Sequence, residues 1–589
     1  MAVTTGKAYS SMKFARRAIN RQAEYETRRD LTDAQNDVIC ELFRPDLVKG
    51  LVGQKQEGAF SGSGIIEGTG PHAAIVWSRG FTGNMVSRKS AWFRDKVKEP
   101  PSWMGVKFKG NDEVNRYIQD MDDHLNEVYR RSTFHDVILQ YALDGGTTSS
   151  PVMLRERDIV NDRIVCKVPD YSQRWIDKDI FGMDNVLHIK WEWNALEAKE
   201  MFGSEQLPQV VKVQLDNGAH YSKTEYLQCI YPAGDPIFDD LPEGEEIAVT
   251  HPWMEFFICL DATDTEQKTL KPLNRGPGYY SRPFSSWHYW RNWHEIYGRS
   301  MAWWAVYDVK GNNKYWESIF GEAELNLQPP TWAMGYLNGI MELGPRGQNF
   351  AQGEDDYDRP PMFLDRHSNY RASMDFADRL AIAIKRHFHN DIFMGATAAV
   401  QGQDQPESVY AHWLMESERN VQLLPQVETF ENQFLRDNHE AFIDSERMAE
   451  PAYPWGRLPE PPDIVKEYGD GTADVEFIGR LSMSQERDIT LQRYFNNIGM
   501  SEIFFKYDPM LVNKIKWGQT YEKFLEAGNF PAADIVPEEE YEAIRQAINQ
   551  RDLQADLAET GLKEAQAAKN LQGKTEKGSP LALLTGETG

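Results

Sequence analysis

The chain has 589 residues, with 90 acidic against 64 basic side chains, a formal net charge of −26 and an isoelectric point near 5.0. That length exceeds one hydrophobic core, so about two to four domains are expected, and 41% hydrophobic with 26% charged residues excludes a disordered chain. So acidic a surface repels phosphate as a whole, which excludes a broad nucleic-acid grip and leaves only local or weak DNA contact.

In chain order, residues 7–43 read as helices, with a cap at Thr32 or Asp33. Residues 51–70 read as a Gly-rich loop, and Ala73 to Phe93 as helix ending at Trp92 and Phe93. Asn111 to Leu143 reads as strong helix, broken by Gly145 and Gly146. From Val152 to Ile258, β-type stretches such as "RIVCKVPD" and "EYLQCIYP" surround one short helix, "NALEAKEMFG". Ser300 is placed to cap a long helix that Pro329 and Pro330 stop. Residues 331–369 are Gly- and Pro-rich, with short apolar runs ("GIMEL", "MFL") suited to short strands that add to a neighbour's sheet edge. Helix returns near 370, with Met374, Phe376, Leu380, Ile384 and Phe388 spaced for one buried face. A further helix is expected from about 407 to 448, kinked at Pro425. Beyond a Pro-rich stretch, helices are expected at 482–497, 510–527 and 537–570, followed by a disordered tail.

Chemistry-bearing motifs are weak. Cys40, Cys166, Cys229 and Cys259 have no metal or disulfide spacing and read as buried thiols of a reducing compartment. No secretory leader and no run of about 18 apolar residues is seen, so a soluble protein made in a cytoplasm is expected. "AKNLQGKT" lacks the first glycine of a phosphate loop and follows a helix, and "GSGIIEG" has the wrong spacing. His387, His389 and Asp391 could suggest a metal, but read better as structural groups; "HYWRNWHE" (His288–Glu295) reads as a packing belt before an acid–base pair. No nucleophile–base spacing occurs. Neither catalytic residues, nor a metal, nor a cofactor is expected.

One run, "RPFSSWHYWRNWHEIYGRSMAWWAVYDVKGNNKYWESIFGEAELNLQPP", resembles the central signature of podovirus portal proteins, also called head–tail connector proteins. Pro283, Phe284, Tyr297, Gly298, Arg299, Ser300, Asp308, Asn312, Glu322 or Glu324, Pro329 and Pro330 stand at the matching places; Met301 replaces the usual proline. Glu67-Gly68 stands where the family has Asp-Ser, and Asp179, Gly182, Asp184, Phe202 and Gly203 fit a second segment. With "STFHDVILQYALDGGTTSSPVM", "LLPQVETFENQFL" and "NFPAADIVPEEEYEAIRQAINQRD", the resemblance spans roughly residues 10 to 555 in the family's order.

That resemblance implies an α+β, helix-dominated portal fold in a ring of about twelve copies around a channel for double-stranded DNA. It maps a wing onto 1–285, stem helix one onto 286–328, a clip onto 329–369 and stem helix two onto 370–390. A tunnel loop falls on 391–406, a long wing helix on 407–448, the wing return and crown start on 449–535, and a crown helix on 536–570. The implied partners are the terminase large subunit, major capsid and scaffolding proteins, a tail adaptor and internal core proteins, at the capsid's portal vertex and with no membrane. From His387 through Glu418 there is no Lys or Arg. A loop carrying Gly395, Thr397, Gln401, Gly402 and Gln403 could touch sliding DNA without the counterion release that makes cations stick. Lys310, Lys314, Arg371, Arg379, Lys385 and Arg386 are candidates for basic channel rings or for ion pairs between subunits. A carbohydrate- or nucleic-acid-processing enzyme with a Trp-rich cleft is the alternative, since six Trp lie between Trp287 and Trp316.

Overall fold

The structure is a computed structural model that describes residues 12–47, 65–98, 100, 108, 111–239, 251–261, 272–273, 278–334, 344–351, 362–363, 370–393, 422–449, 453–468, 473–479 and 560–563. The chain divides into two units, Met1–Gln485 and Glu486–Gly589. In the second unit the described residues, 560–563, are helical. The expected helices at 482–497 and 510–527, and most of 537–570, lie outside the described residues.

The first unit opens with α1 (Met12–Phe43), 32 residues without a break. The cap expected at Thr32 or Asp33 is absent because Asp33 is taken by Arg29 one turn back, at 2.8 Å, which supports the helix instead of starting one. The next helix, α2 (Thr69–Met85), stops short of the expected end. Phe93–Val97 is a strand, β1, whose antiparallel partner is β12 (Ala473–Phe477), far off in sequence and invisible to local periodicity. α3 (Asp112–Arg131) is capped by Asn111, whose side chain accepts from the Glu113 amide. α4 (Phe134–Gly146) follows after a break at Ser132, where continuous helix was expected.

The β-type stretches form two antiparallel sheets. β4 (Arg174–Lys178), β5 (Asp184–Asn194), β6 (Lys223–Pro232) and β7 (Trp253–Cys259) lie in chain order, with Leu187 opposite Ile230 and Leu227 opposite Ile258. β5 and β6 are joined by two helices, α5 (Ala195–Gln206) and α6 (Gln209–Asp216), where one was expected. Asn194 and Glu197 close a reciprocal capping box on α5. β2 (Val152–Asp158) sits between β3 (Arg163–Lys167) and β8 (Phe284–Ser286). The start of α1 packs on the four-stranded sheet through Phe14, Ala15, Ala18 and Tyr25. Arg29 fixes its middle there, buried against the Tyr171 and Trp175 rings at 4.7 and 4.3 Å. All four cysteines are buried thiols outside any disulfide.

Two long helices then fold back on one another. α7 (Met301–Leu327) has Ser300 as its N-cap, accepting from the Trp303 amide. Between the helices, β9 (Thr331–Met334) pairs parallel with β10 (Gln348–Ala351) and antiparallel with β11 (Met362–Phe363), so the apolar run "MFL" pairs within the chain, while "GIMEL" lies outside the described residues. α8 (Tyr370–His387) returns beside α7, and α9 (Asn390–Phe393) follows it. Of the face expected to be buried on α8, Ile384 and Phe388 are enclosed, but Phe376 is 51% exposed and Ala377 is buried in its stead. Phe376 stacks on Tyr315 at the edge of the helix pair, 6.1 Å between rings, which turns the buried stripe by one position.

The hairpin is anchored in a large helical core of α2, α4, α7, α8 and the helix at 422–448, where Trp77, Phe81, Trp287, Val309, Ile384, Phe388, Phe430 and Phe434 meet. Helical residues 422–430 pass Pro425 and run through a π-helical turn, Glu431–Leu435, into α10 (Arg436–Met448). The extra residue of that turn lets Phe430, Phe434 and Leu435 all face inward. A short α11 (Asp463–Tyr468) precedes β12.

Candidate functional site

The signature residues converge where the two sheets hand over to the helical hairpin. The chain leaves β8, crosses Trp287 to Arg299, and enters α7 at Ser300. Ser149 and Ser150, just after α4, adopt left-handed backbone angles (φ of 66° and 47°), a conformation that non-glycine residues hold only when their surroundings fix it. The Ser149 hydroxyl donates to the Gly298 carbonyl at 2.7 Å, and the Ser150 hydroxyl accepts from the Gly298 amide at 2.8 Å. A Cβ at Gly298 would come within 2.9 Å of the Trp290 carbonyl, so only glycine allows this approach.

The network continues inward. Ser150 Oγ lies 2.9 Å from His288 Nδ1, and His288 Nε2 lies 2.7 Å from Asp184 Oδ2. Asp184 Oδ1 accepts from Arg291 at 2.7 Å, and Ser286 donates to Oδ2 at 2.5 Å. Burial alone would raise the Asp184 pKa; the His288 imidazole and the Arg291 guanidinium outweigh it and hold the carboxyl well below its ordinary value. Ser, His and Asp are thus in series, as in a nucleophilic triad. Yet Ser150, His288 and Asp184 are all buried, and the serine is already engaged by Gly298. The chemistry available here is a lock between β5, the end of α4 and the start of α7, not attack on a substrate. Glu295, paired in the sequence with His288, instead binds Arg299 at 2.7 Å, so the two groups belong to separate contacts.

A second set of signature residues braces the hairpin. Asn312 donates to Glu67 Oε2 at 2.7 Å, and Asn313 Oδ1 accepts from the Glu67 amide at 3.1 Å. Asp308 meets His387 at 3.0 Å across α7 and α8. Tyr297 takes the Ile176 amide of β4 at 3.2 Å. Nearby, Asp144 at the end of α4 is buried between Arg44 at 2.5 Å and Arg174 at 3.2 Å, tying α1 and β4 to the same corner. His389 sits 3.4 Å from the Tyr289 hydroxyl, apart from the His387–Asp308 pair. Among the described residues no cluster of His, Cys, Asp and Glu could hold a metal.

The candidate cations lie on the two helices of the hairpin. Lys310 and Lys314 on α7, and Arg379, Lys385 and Arg386 on α8, are exposed and make no ion pair with another described residue. Arg379 lies over the Phe376 ring at 5.8 Å. Arg371 lies in the first turn of α8. Gly395, Thr397, Gln401, Gly402 and Gln403 lie outside the described residues. The serines were not legible as site residues, and Glu67 was legible only as a departure from the family's Asp, without a role. "TTSS" carries no local signal, and Glu67 gains meaning only once Asn312 and Asn313 stand beside it. Of the six clustered tryptophans, Trp287 is enclosed, Trp303 and Trp316 are half-buried, and Trp290, Trp293 and Trp304 are exposed. They form no common cleft.

Sheets locked onto a long helical hairpin with a β insertion, and signature residues spent on bracing rather than on a reactive pocket, mark an α+β protein built for assembly. The comparison with known families gives that class its name: residues 15–536 match the bacteriophage head to tail connecting protein family, and the chain belongs to it. It is also similar to the portal protein of Salmonella phage epsilon15, 21% identical over 530 residues that cover 88% of each chain. Its role is structural and not enzymatic, that of a portal component of a phage capsid. No helix among the described residues is long and apolar enough to cross a membrane.

Proposed function

We propose that about twelve copies of this chain form a ring around a channel that passes double-stranded DNA into the capsid during packaging and out during ejection. The observation that carries this reading is the order of parts: sheets, helix, β insertion, returning helix, then a stretch of sequence without Lys or Arg, within a span that the connector family covers. In this reading residues 1–285 form the wing, α7 and α8 the stem, 329–369 the clip and 391–406 the tunnel loop, while 407–448 crosses back through the wing and 536–570 form the crown. The clip docks the terminase large subunit during packaging and the tail adaptor afterwards. Major capsid, scaffolding and internal core proteins surround the ring.

The test is native mass spectrometry of the purified protein with negative-stain images of the same sample. Twelve 67.8 kDa chains give about 814 kDa, and top views should show a central hole. A monomer or dimer across a range of salt and protein concentrations would overturn the reading.

A further inference from the structure

The junction that locks the sheets to α7 also carries a surface that a lone chain leaves uncovered. The turn between β4 and β5 puts Ile180, Phe181 and Met183 into solvent at 85%, 73% and 60% exposure. Gly182 holds that turn with φ of 83°, against the Trp293 ring, which is itself 74% exposed. Polar and cation–π contacts link this turn to further tryptophans. Lys178 donates to the Glu295 carbonyl at 3.0 Å, Glu295 binds Arg299, Arg299 lies over Trp303 at 4.8 Å, and Trp303 meets Trp304, 4.8 Å between rings. Trp290, bridged to Arg299, and Trp304 remain 56% and 48% exposed.

Two features say what this belt fits. The first is charge. Lys178, Arg291 and Arg299 around it are each turned inward onto carbonyls or carboxylates of their own chain. The belt therefore offers an anionic ligand such as DNA little, and offers an apolar protein surface a great deal. The second is area. Large side chains bury ~150–250 Å² each, so these six exposures leave on the order of 800 Å² uncovered, one partner's share of a standard interface. Tryptophan and phenylalanine at such density are the anchors that dominate protein association, and a patch this large is unusual on a monomer.

We infer that the belt of Ile180, Phe181, Met183, Trp290, Trp293 and Trp304 is a subunit contact, covered by a second copy of this chain in the assembled oligomer. The inference rests on the ring reading above and assigns that ring one of its contact surfaces.

The test places the photo-crosslinking residue p-benzoylphenylalanine at position 181 in the purified full-length protein. Irradiation of the assembled sample should give a product of twice the chain mass, with the linked peptide coming from a second copy. In parallel, the double variant Phe181→Ser, Trp293→Ser should need about tenfold more protein to assemble, with circular dichroism checking that its chains stay folded. If the unsubstituted protein forms no oligomer, the ring reading itself fails. If it forms rings but position 181 links to no second copy, or the folded double variant assembles at unchanged concentration, the ring stands and this assignment falls.

Discussion

His188 shows at the scale of one residue how the sheet region responds to pH. It lies inside, between Gln22 at 2.9 Å and the Tyr231 hydroxyl at 2.6 Å. Burial, aided by the nearby Arg21, pushes its pKa down to about 3. Between pH 6.5 and 3 the unfolded chain therefore binds a proton that the folded chain refuses, so stability falls as the pH falls through that window. At pH 4.5 the loss is about 2–3 kcal/mol, since one pKa unit is worth about 1.4 kcal/mol. His188→Gln should narrow the gap between the urea midpoints at pH 7 and pH 4.5; an unchanged gap would assign the acid sensitivity elsewhere. Nothing local in "NVLHIKWEW" distinguishes this histidine from a surface one. Its burial depends on α1, which arrives from far off in sequence.

At the scale of elements, α7 depends on its first turn. The Ser300 hydroxyl accepts from the Trp303 amide, and the residue itself is buried beside the Gly298 contact. Ser300→Ala should cost about 1 kcal/mol of local stability. Hydrogen exchange should read this as faster exchange in residues 301–304, with α8 little changed; exchange spread evenly along both helices would show that the cap does not act locally. This helix was legible in advance because its signals are local: a serine cap, a helical period and two prolines at the far end. The strands of the first half were legible for the same reason. β1 was not, because "WFRDKV" earns its strand from pairing with residues 473–477. Nor was the rotated face of α8, where one Tyr315–Phe376 stack decides which side chain stays out. Sequence order pointed to the junction as important, yet the reason only appears in space, where Ser150 and Asp184 reach His288 from separate elements.

For the molecule as a whole, a net charge of −26 would set the terms of the proposed DNA passage. Cations repeated around a ring would neutralise phosphates and favour sticking, which is the proposed reason that 387–418 carries none. Gln401→Arg with Gln403→Arg should slow packaging or ejection, and more so at low salt; unchanged packaging and infectivity at all salt concentrations would remove the loop from the account. The burial of the cysteines has a practical consequence at this scale. The thiols of Cys40, Cys166 and Cys229 are pushed up to about 12 by burial, and Cys259 is enclosed as well. The native exterior is thus blind to maleimide dyes. A single cysteine engineered into any loop becomes its sole labelling handle, so distances across the assembly can be followed by fluorescence while the four native thiols stay in place.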